Sequence, residues 1–229
     1  MRHAKLLALS LAALAAAAPL SAQRGDPTMT VTGSGKLPDG WMLRFDPTRG
    51  GAPAPAMTAV SFETMGSGFH VKSGPAALYY NTKDQGSGQY QISATFHQTK
   101  SMQHEAFGIF IGGANLQDST QSYIYMVIKP FDGTIRIARR NSNGRPTDIV
   151  AENAAAPEAA INRDSPTDGS ATNAMTIHVA KDTVHFIVNG KLVKAIAKSA
   201  LGGSTDGQAG LRVNHNMDLH IDGYAVKKG

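Results

Sequence analysis

The sequence predicts an all-β protein, a sandwich or a barrel, on three observations. About a dozen short segments alternate apolar and polar residues, which is the period of a half-buried strand. Turn-forming Gly, Pro, Asn and Asp separate them, drawn from 24 glycines and 11 prolines spread along the 229 residues. No helical periodicity of any length occurs, and the chain holds only four glutamates, Glu63, Glu105, Glu152 and Glu158, fewer than long helices use.

The clearest segment is 174–196, which reads as two successive hairpins. Met175, Ile177 and Val179 alternate with Thr176 and His178. A Lys181-Asp182 turn follows, and then Val184, Phe186 and Val188 alternate with Thr183 and His185. Asn189-Gly190 closes the second turn, because a type I′ turn needs positive φ at both central residues. Taken in order, the strands before it fall at 58–64, 69–72, 76–80 and 89–98. The last is the cleanest, with Tyr90, Ile92, Ala94 and Phe96 opposite Gln91, Ser93, Thr95 and His97. Segment 106–112 is apolar on both faces, as a central strand requires. In 123–129, Ile124, Met126 and Ile128 face inward and Tyr123 and Tyr125 outward. In 134–140, Ile135 and Ile137 oppose Arg136. Segment 142–173 has Pro146, an Ala-rich run and a Ser-Pro-Thr-Asp-Gly stretch, and reads as a long surface loop with one helical turn near 157–161. Strands at 210–214 and 217–227 close the chain. A short first strand is expected at 30–32, with Trp41, the only tryptophan, delivered by a Pro-Asp-Gly turn.

Three regions follow: a secretory signal at 1–22, an N-terminal arm with its first strand at 23–56, and the β domain at 57–229. Arg2, His3 and Lys5 form a positive start, 6–18 an apolar run of Leu and Ala, and Ala22 a small residue for cleavage. The expected location is therefore secreted or periplasmic, with no membrane span after cleavage. Losing Arg2 and Lys5 leaves 20 of the 22 basic residues against 17 acidic ones, too even a balance to point to nucleic acid. The absence of cysteine excludes disulfides, thiol catalysis and Cys-ligated zinc. Arg24-Gly25-Asp26 is an integrin-type tripeptide of chance frequency.

From about Phe107 to Val226 the order of features resembles the concanavalin A-like lectin/glucanase superfamily, and within it the laminin-G-like and 3-keto-disaccharide hydrolase-like (DUF1080-type) domains of secreted bacterial proteins. The carrying residues are GIFIGG (108–113), YIYMVIK (123–129), GTIRIARR (133–140), the hairpin MTIHVAKDTVHFIVNGKLV (175–193) and GQAGLRVNHNMDLHIDGYAV (207–226). LPDGW (37–41) adds to the likeness. The resemblance implies an antiparallel two-sheet jelly-roll β-sandwich. These motifs are structural, so they speak for the fold and leave the activity open. The Glu-x-Asp-x-x-Glu strand motif of the recognisable glycosidases does not occur, so the paired carboxylates of a retaining mechanism are not evident.

Two groups of residues can carry function. His97, Phe110, Tyr123, Tyr125 and Arg136 have the parity opposite to the core. If their strands are neighbours they share one outer face, where rings pack on sugar C–H faces and Arg or His bonds hydroxyls. The bland reading is an ordinary sheet face rich in β-formers. Glu105, just ahead of the central strand, can supply a carboxylate to its rim. Asp218, His220 and Asp222 share the outward face of the last strand and offer oxygen ligands of the kind Ca²⁺ takes, although same-face neighbours near 7 Å apart reach one ion poorly. No other cofactor is indicated. The expected function is a secreted, non-catalytic module that binds a glycan or another extracellular polymer. The alternatives are a glycoside hydrolase-like enzyme of the 3-keto-disaccharide type with Glu105 or an aspartate as acid/base, and an envelope protein that self-associates. The oligomeric state is open.

Overall fold

A computed structural model describes residues 31–48, 50, 52–99, 105–152 and 157–229. The expected signal segment and the Arg-Gly-Asp tripeptide lie outside them. The described residues form two sheets. One runs β1 (Trp41–Phe45), β4 (Ala77–Asn81), β14 (Gly207–Val213), β7 (Phe107–Ala114), β8 (Ser122–Lys129), β9 (Thr134–Arg140) and β10 (Thr147–Val150), with the two-residue β5 (Gln85–Gly86) beside β14. The other runs β13 (Lys191–Ala197), β12 (Thr183–Val188), β11 (Ala171–Val179), β6 (Tyr90–Gln98), β15 (Met217–Lys228), β3 (Gly68–Ser73) and β2 (Val60–Met65). Neighbouring strands are antiparallel throughout. Only two single-turn 3₁₀ segments, Met57–Ala59 and Lys198–Ala200, interrupt the β structure.

The inward residues of both sheets merge into one core. Tyr90, Ile92 and Phe96 from β6, Ile177 from β11 and Phe186 from β12 meet Ile109 from β7, Met126 from β8 and Leu211 from β14, all fully buried. Period-two alternation therefore assigns the inner faces of β6, β8, β11 and β12 and the first half of β15 correctly, before the bulge at 222–225 switches the parity. At one seam the rings of Trp41, Phe62, Phe69, Tyr79 and Tyr224 cluster at 4.8–5.2 Å between the closest pairs, which joins β1 and β4 of the first sheet to the second.

Three expectations need correction. Residues 31–35 are not a strand, although Gly33 and Gly35 donate backbone hydrogen bonds to Thr58 and Val60. The 142–173 loop contains β10 and the first residues of β11, and at 157–161 it holds a turn closed by Ile161 N–H on the Glu158 carbonyl. That turn is no mere surface excursion, since Ala160 and Ile161 are buried against the core.

Asn189 explains how the loop is held. With φ of 50° at Asn189 and 76° at Gly190, this pair makes the expected turn between β12 and β13. The Asn189 amide also donates to the Ala160 carbonyl and to Asn173 Oδ1, each at 2.8 Å, while its Oδ1 accepts from Ala174 N–H at 2.8 Å. Asn173 is itself fully buried and accepts from Asn162 N–H. Asn189→Gly keeps the turn conformation and removes only these bonds. It is expected to lower stability by about 1–3 kcal/mol and to speed proteolysis within 157–163. Equal urea midpoints for the two proteins would show that the turn alone matters.

Candidate functional site

The outer face of the first sheet carries a second buried cluster: Leu78, Tyr80, Phe110, Leu116, Tyr123, Tyr125, Val127 and Ala138. Phe110 and Tyr125 are cross-strand partners, as are Tyr123 and Arg140, and Val127 and Arg136. Phe110, Tyr123, Tyr125 and Arg136 therefore share one face, as expected. Arg212 joins them from β14, opposite Gly108 of β7. Gly108 offers no side chain beside Arg212, and a Cβ there would lie 2.0 Å from the Met126 carbonyl oxygen. Arg212 places its guanidinium 5.7 Å from the Tyr125 ring centre, with Arg136 at 5.8 Å.

This face is not an open platform. Arg44 points outward from edge strand β1, and its Nη2 donates to Asn143 Oδ1 at 3.1 Å while Nη1 donates to the Gln117 carbonyl at 3.2 Å. Asn143 follows β9, and four strands separate β1 from β9 in the sheet. Such a contact requires the 141–146 loop to reach across the face. Asn143 N–H bonds the Ser119 carbonyl, Gln121 donates to Asn143 Oδ1, and Gln117 donates to the Tyr80 hydroxyl. Two loops are thus laced together above the sheet. Phe110, Tyr123 and Tyr125 are only 0–3% exposed, so their ring faces are not offered to a ligand. Burial accordingly pushes both tyrosine hydroxyls above their ordinary pKa.

What remains accessible is a cleft of about 640 Å³ whose polar lining includes Asp46, Thr48, Arg140, Asn143, Arg145 and His215. Prolines 47, 55, 75 and 146 supply apolar walls. An adjoining cleft of about 400 Å³ shares Asp46, Thr48 and Asn143 with it and adds Arg44 and Gln117. At the floor, Arg212 holds Asp46 bidentately, at 2.6 and 2.7 Å. Arg140 donates to the Tyr123 hydroxyl at 3.0 Å and to the Gly144 carbonyl at 2.6 Å, and meets Asp46 at 3.4 Å. Burial alone would raise the Asp46 carboxyl. Arg212, by charge and by hydrogen bond, then Arg140 and His215, outweigh it and hold the group below its ordinary value.

The other expected residues lie elsewhere. His97 is on β6, in the second sheet, so it cannot join Tyr123, Tyr125 and Arg136. Its parity was read correctly, but parity says nothing about which sheet a strand enters. His97 lies 3.3 Å from Asp222, bonds Thr172 at 3.1 Å and lines a separate cleft with the 163–170 loop. Asp218, His220 and Asp222 do share an outer face, that of the second sheet, but they do not converge. Asp218 pairs with His70 at 2.7 Å and Lys72 at 3.4 Å, whereas Asp222 pairs with His220 at 3.0 Å and His97 at 3.3 Å. Four residues along β15 place the two carboxylates about 13 Å apart on the backbone. Among the described residues no three His, Asp or Glu side chains are placed to hold a metal ion. His178 and His185 are cross-strand neighbours, as the hairpin register requires. Glu105 accepts from the Asn214 amide at 3.4 Å and lines neither cleft on the outer face of the first sheet.

Sequence periodicity does not single out Asp46, Arg140 or Arg212. Asp46 stands in the Pro-rich arm after β1, and the two arginines occupy outward positions that read as solvated. The available signal is that β8, β9 and β14 each place tyrosine or arginine on the same outward parity.

Among the described residues no helix is long and apolar enough to cross a membrane. No family model matches the chain, and no curated protein sequence matches it significantly. Solved structures do match. A carbohydrate-binding module, CBM66, from Bacillus subtilis superposes with a TM-score of 0.56 at 11% identity, covering 82% of this chain and 96% of that one. A Bacillus subtilis protein of unknown function with a galectin-like fold gives 0.53 at 12% identity, covering 87% and 93%. A family 16 glycoside hydrolase endo-glucanase from Bacteroides ovatus gives 0.51 at 10% identity, covering 81% and 94%. Identities this low speak for architecture alone: the chain has the concanavalin A-like, galectin-like jelly-roll β-sandwich fold.

Proposed function

We propose that the protein is a non-catalytic carbohydrate-binding domain that works outside the cytoplasm and takes its ligand in the cleft over the outer face of the first sheet. The observation that carries this reading is the cleft itself. Hydrogen-bonding side chains of Asp46, Thr48, Asn143, Arg145 and His215 converge there between proline walls, the mixture a sugar ring with its hydroxyls and C–H faces asks for. The fold supports it, since structures with the same architecture include a carbohydrate-binding module and an endo-glucanase. The finer likeness to laminin-G-like or 3-keto-disaccharide hydrolase-like domains belongs to the same reading.

Binding is favoured over hydrolysis by the carboxylates. Glycoside hydrolysis ordinarily takes two, about 5–5.5 Å apart for retention and about 6.5–9.5 Å for inversion. Asp46 is the one carboxylate lining either of the two joined clefts among the described residues, and Arg212 keeps it ionised, which does not suit donating a proton. A glycan array, followed by reducing-sugar release on every hit, tests the reading. The expected result is binding without turnover, unchanged within about twofold in Glu105→Gln. Sugar release that disappears in Glu105→Gln would replace the binding module with a hydrolase.

A further inference from the structure

The joined clefts hold a charge imbalance. Four guanidinium groups, those of Arg44, Arg140, Arg145 and Arg212, stand in or directly beneath them, against the single carboxylate of Asp46. Asp46 is used up by the bidentate bond from Arg212. Arg140 reaches it only at 3.4 Å, although its side chain is 7% exposed. Arg44 donates to neutral oxygens alone, and among the described residues no carboxylate pairs with Arg44, Arg145 or His215. The Nε atoms of Arg44 and Arg212 are buried without a hydrogen-bond partner. Elsewhere on the molecule Arg136 is matched by Asp148 and Lys129 by both Glu152 and Asp132, while half-buried Arg139 is left with the Gly202 carbonyl. Buried charge is ordinarily paired, because leaving it unpaired is costly. Here two buried guanidinium groups, those of Arg140 and Arg212, share one carboxylate, so the cleft carries a positive charge that an anion would balance. Cation–π contact with Tyr125 accounts for Arg212, but no ring serves Arg44, Arg140 or Arg145 among the described contacts.

We infer that the cleft takes an acidic glycan, with the sugar's carboxylate or sulfate group seated between Arg140 and Arg145. This rests on the carbohydrate-binding reading and narrows it. Arg140 is preorganised, because Tyr123 and Gly144 fix its plane, and Arg145 closes from the exposed loop beside it. A planar guanidinium matches either anionic group bidentately.

The test is calorimetric titration of the full-length protein with two matched pairs of polymers. Polygalacturonic acid is set against its fully methyl-esterified form, and dextran sulfate against dextran. One charged polymer is expected to bind at least about tenfold more tightly than its neutral twin, and which of the two does so identifies carboxylate or sulfate. Arg145→Glu is expected to lose about tenfold or more of that affinity, and Arg145→Lys to keep most of it. Lys191→Glu, the same charge change on exposed β13 of the other sheet, is expected to cost less than twofold, which separates a seated anion from general attraction to a basic chain. Equal binding of charged and neutral twins overturns the inference and leaves carbohydrate binding standing. A Lys191→Glu loss as large as that of Arg145→Glu also overturns it. Failure of all four polymers to bind, where a neutral glycan binds on the array, overturns it again. Failure of everything on the array removes the carbohydrate reading with it.

Discussion

Arg212→Ala is expected to destabilise the protein by about 3–5 kcal/mol. The substitution removes the partner that holds Asp46 at 2.6 and 2.7 Å and leaves a carboxylate at the cleft with Arg140, at 3.4 Å, and the weaker influence of His215 to balance it. It also removes the guanidinium from the Tyr125 ring. Two controls separate charge from packing. Arg212→Met retains the stem, and combined with Asp46→Leu it removes both charges together. That double variant is expected to recover much of the loss, since a buried ion pair replaced by matched apolar groups is often neutral. Asp46 adds a pH signature. Its folded pKa is depressed below that of the unfolded chain, so its contribution is fully present above the ordinary carboxylate pKa of about 3.9 and is lost as pH falls through the lower folded value. Urea midpoints of wild type and Asp46→Asn are therefore expected to differ at pH 7 and to approach one another as the pH falls below the ordinary carboxylate range. A gap of constant size across that range would show that the pair is not what the carboxylate supplies.

Phe62→Ala is expected to cost about 3–5 kcal/mol as well, for a different reason. Phe62 is 1% exposed and lies 4.9 Å from Trp41, 4.9 Å from Tyr79 and 5.1 Å from Phe69, between ring centres. Trp41 and Tyr79 belong to the first sheet and Phe62 and Phe69 to the second. Truncation opens a cavity at the seam where the two sheets close, with loss of ring–ring contacts worth roughly 0.5–1.5 kcal/mol each. Phe62→Leu fills part of the space and is expected to cost markedly less. Trp41, the only tryptophan, makes the measurement direct: its fluorescence follows both the unfolding transition and any local loosening of the native seam. A Phe62→Ala midpoint within error of wild type would show that the seam repacks freely.

These effects show which parts of the molecule a sequence makes readable. Strand faces are local, because period two is written in each segment, and so the inward residues of β6, β8, β11, β12 and the first half of β15 match expectation. Strand partners are not local. His97 illustrates it: β6 lies between β11 and β15, and nothing within 89–98 says so. The short strands escape for a related reason. Thr147–Val150 is a half-exposed edge with a register shift against β9, and its four residues show no period. The roof over the tyrosines is less legible still. It depends on Arg44 meeting Asn143 across four strands, and in sequence Arg44 is one outward residue of a short first strand. The fold was therefore available from patterning and from the resemblance, whereas the site, made of an arm, two loops and three outward arginines, came from tertiary pairing alone.

The partners of the Asp46 clamp lie 94 and 166 residues further along the chain. That separation has a consequence for how the protein is made. Non-local closure is the slow part of folding in β topologies, and the clamp needs β14, which follows β1 to β13 in chain order. No partly synthesised chain can present the finished cleft. The Asp46 clamp therefore forms only once β14 has joined the sheet, so its formation reports late closure of the fold.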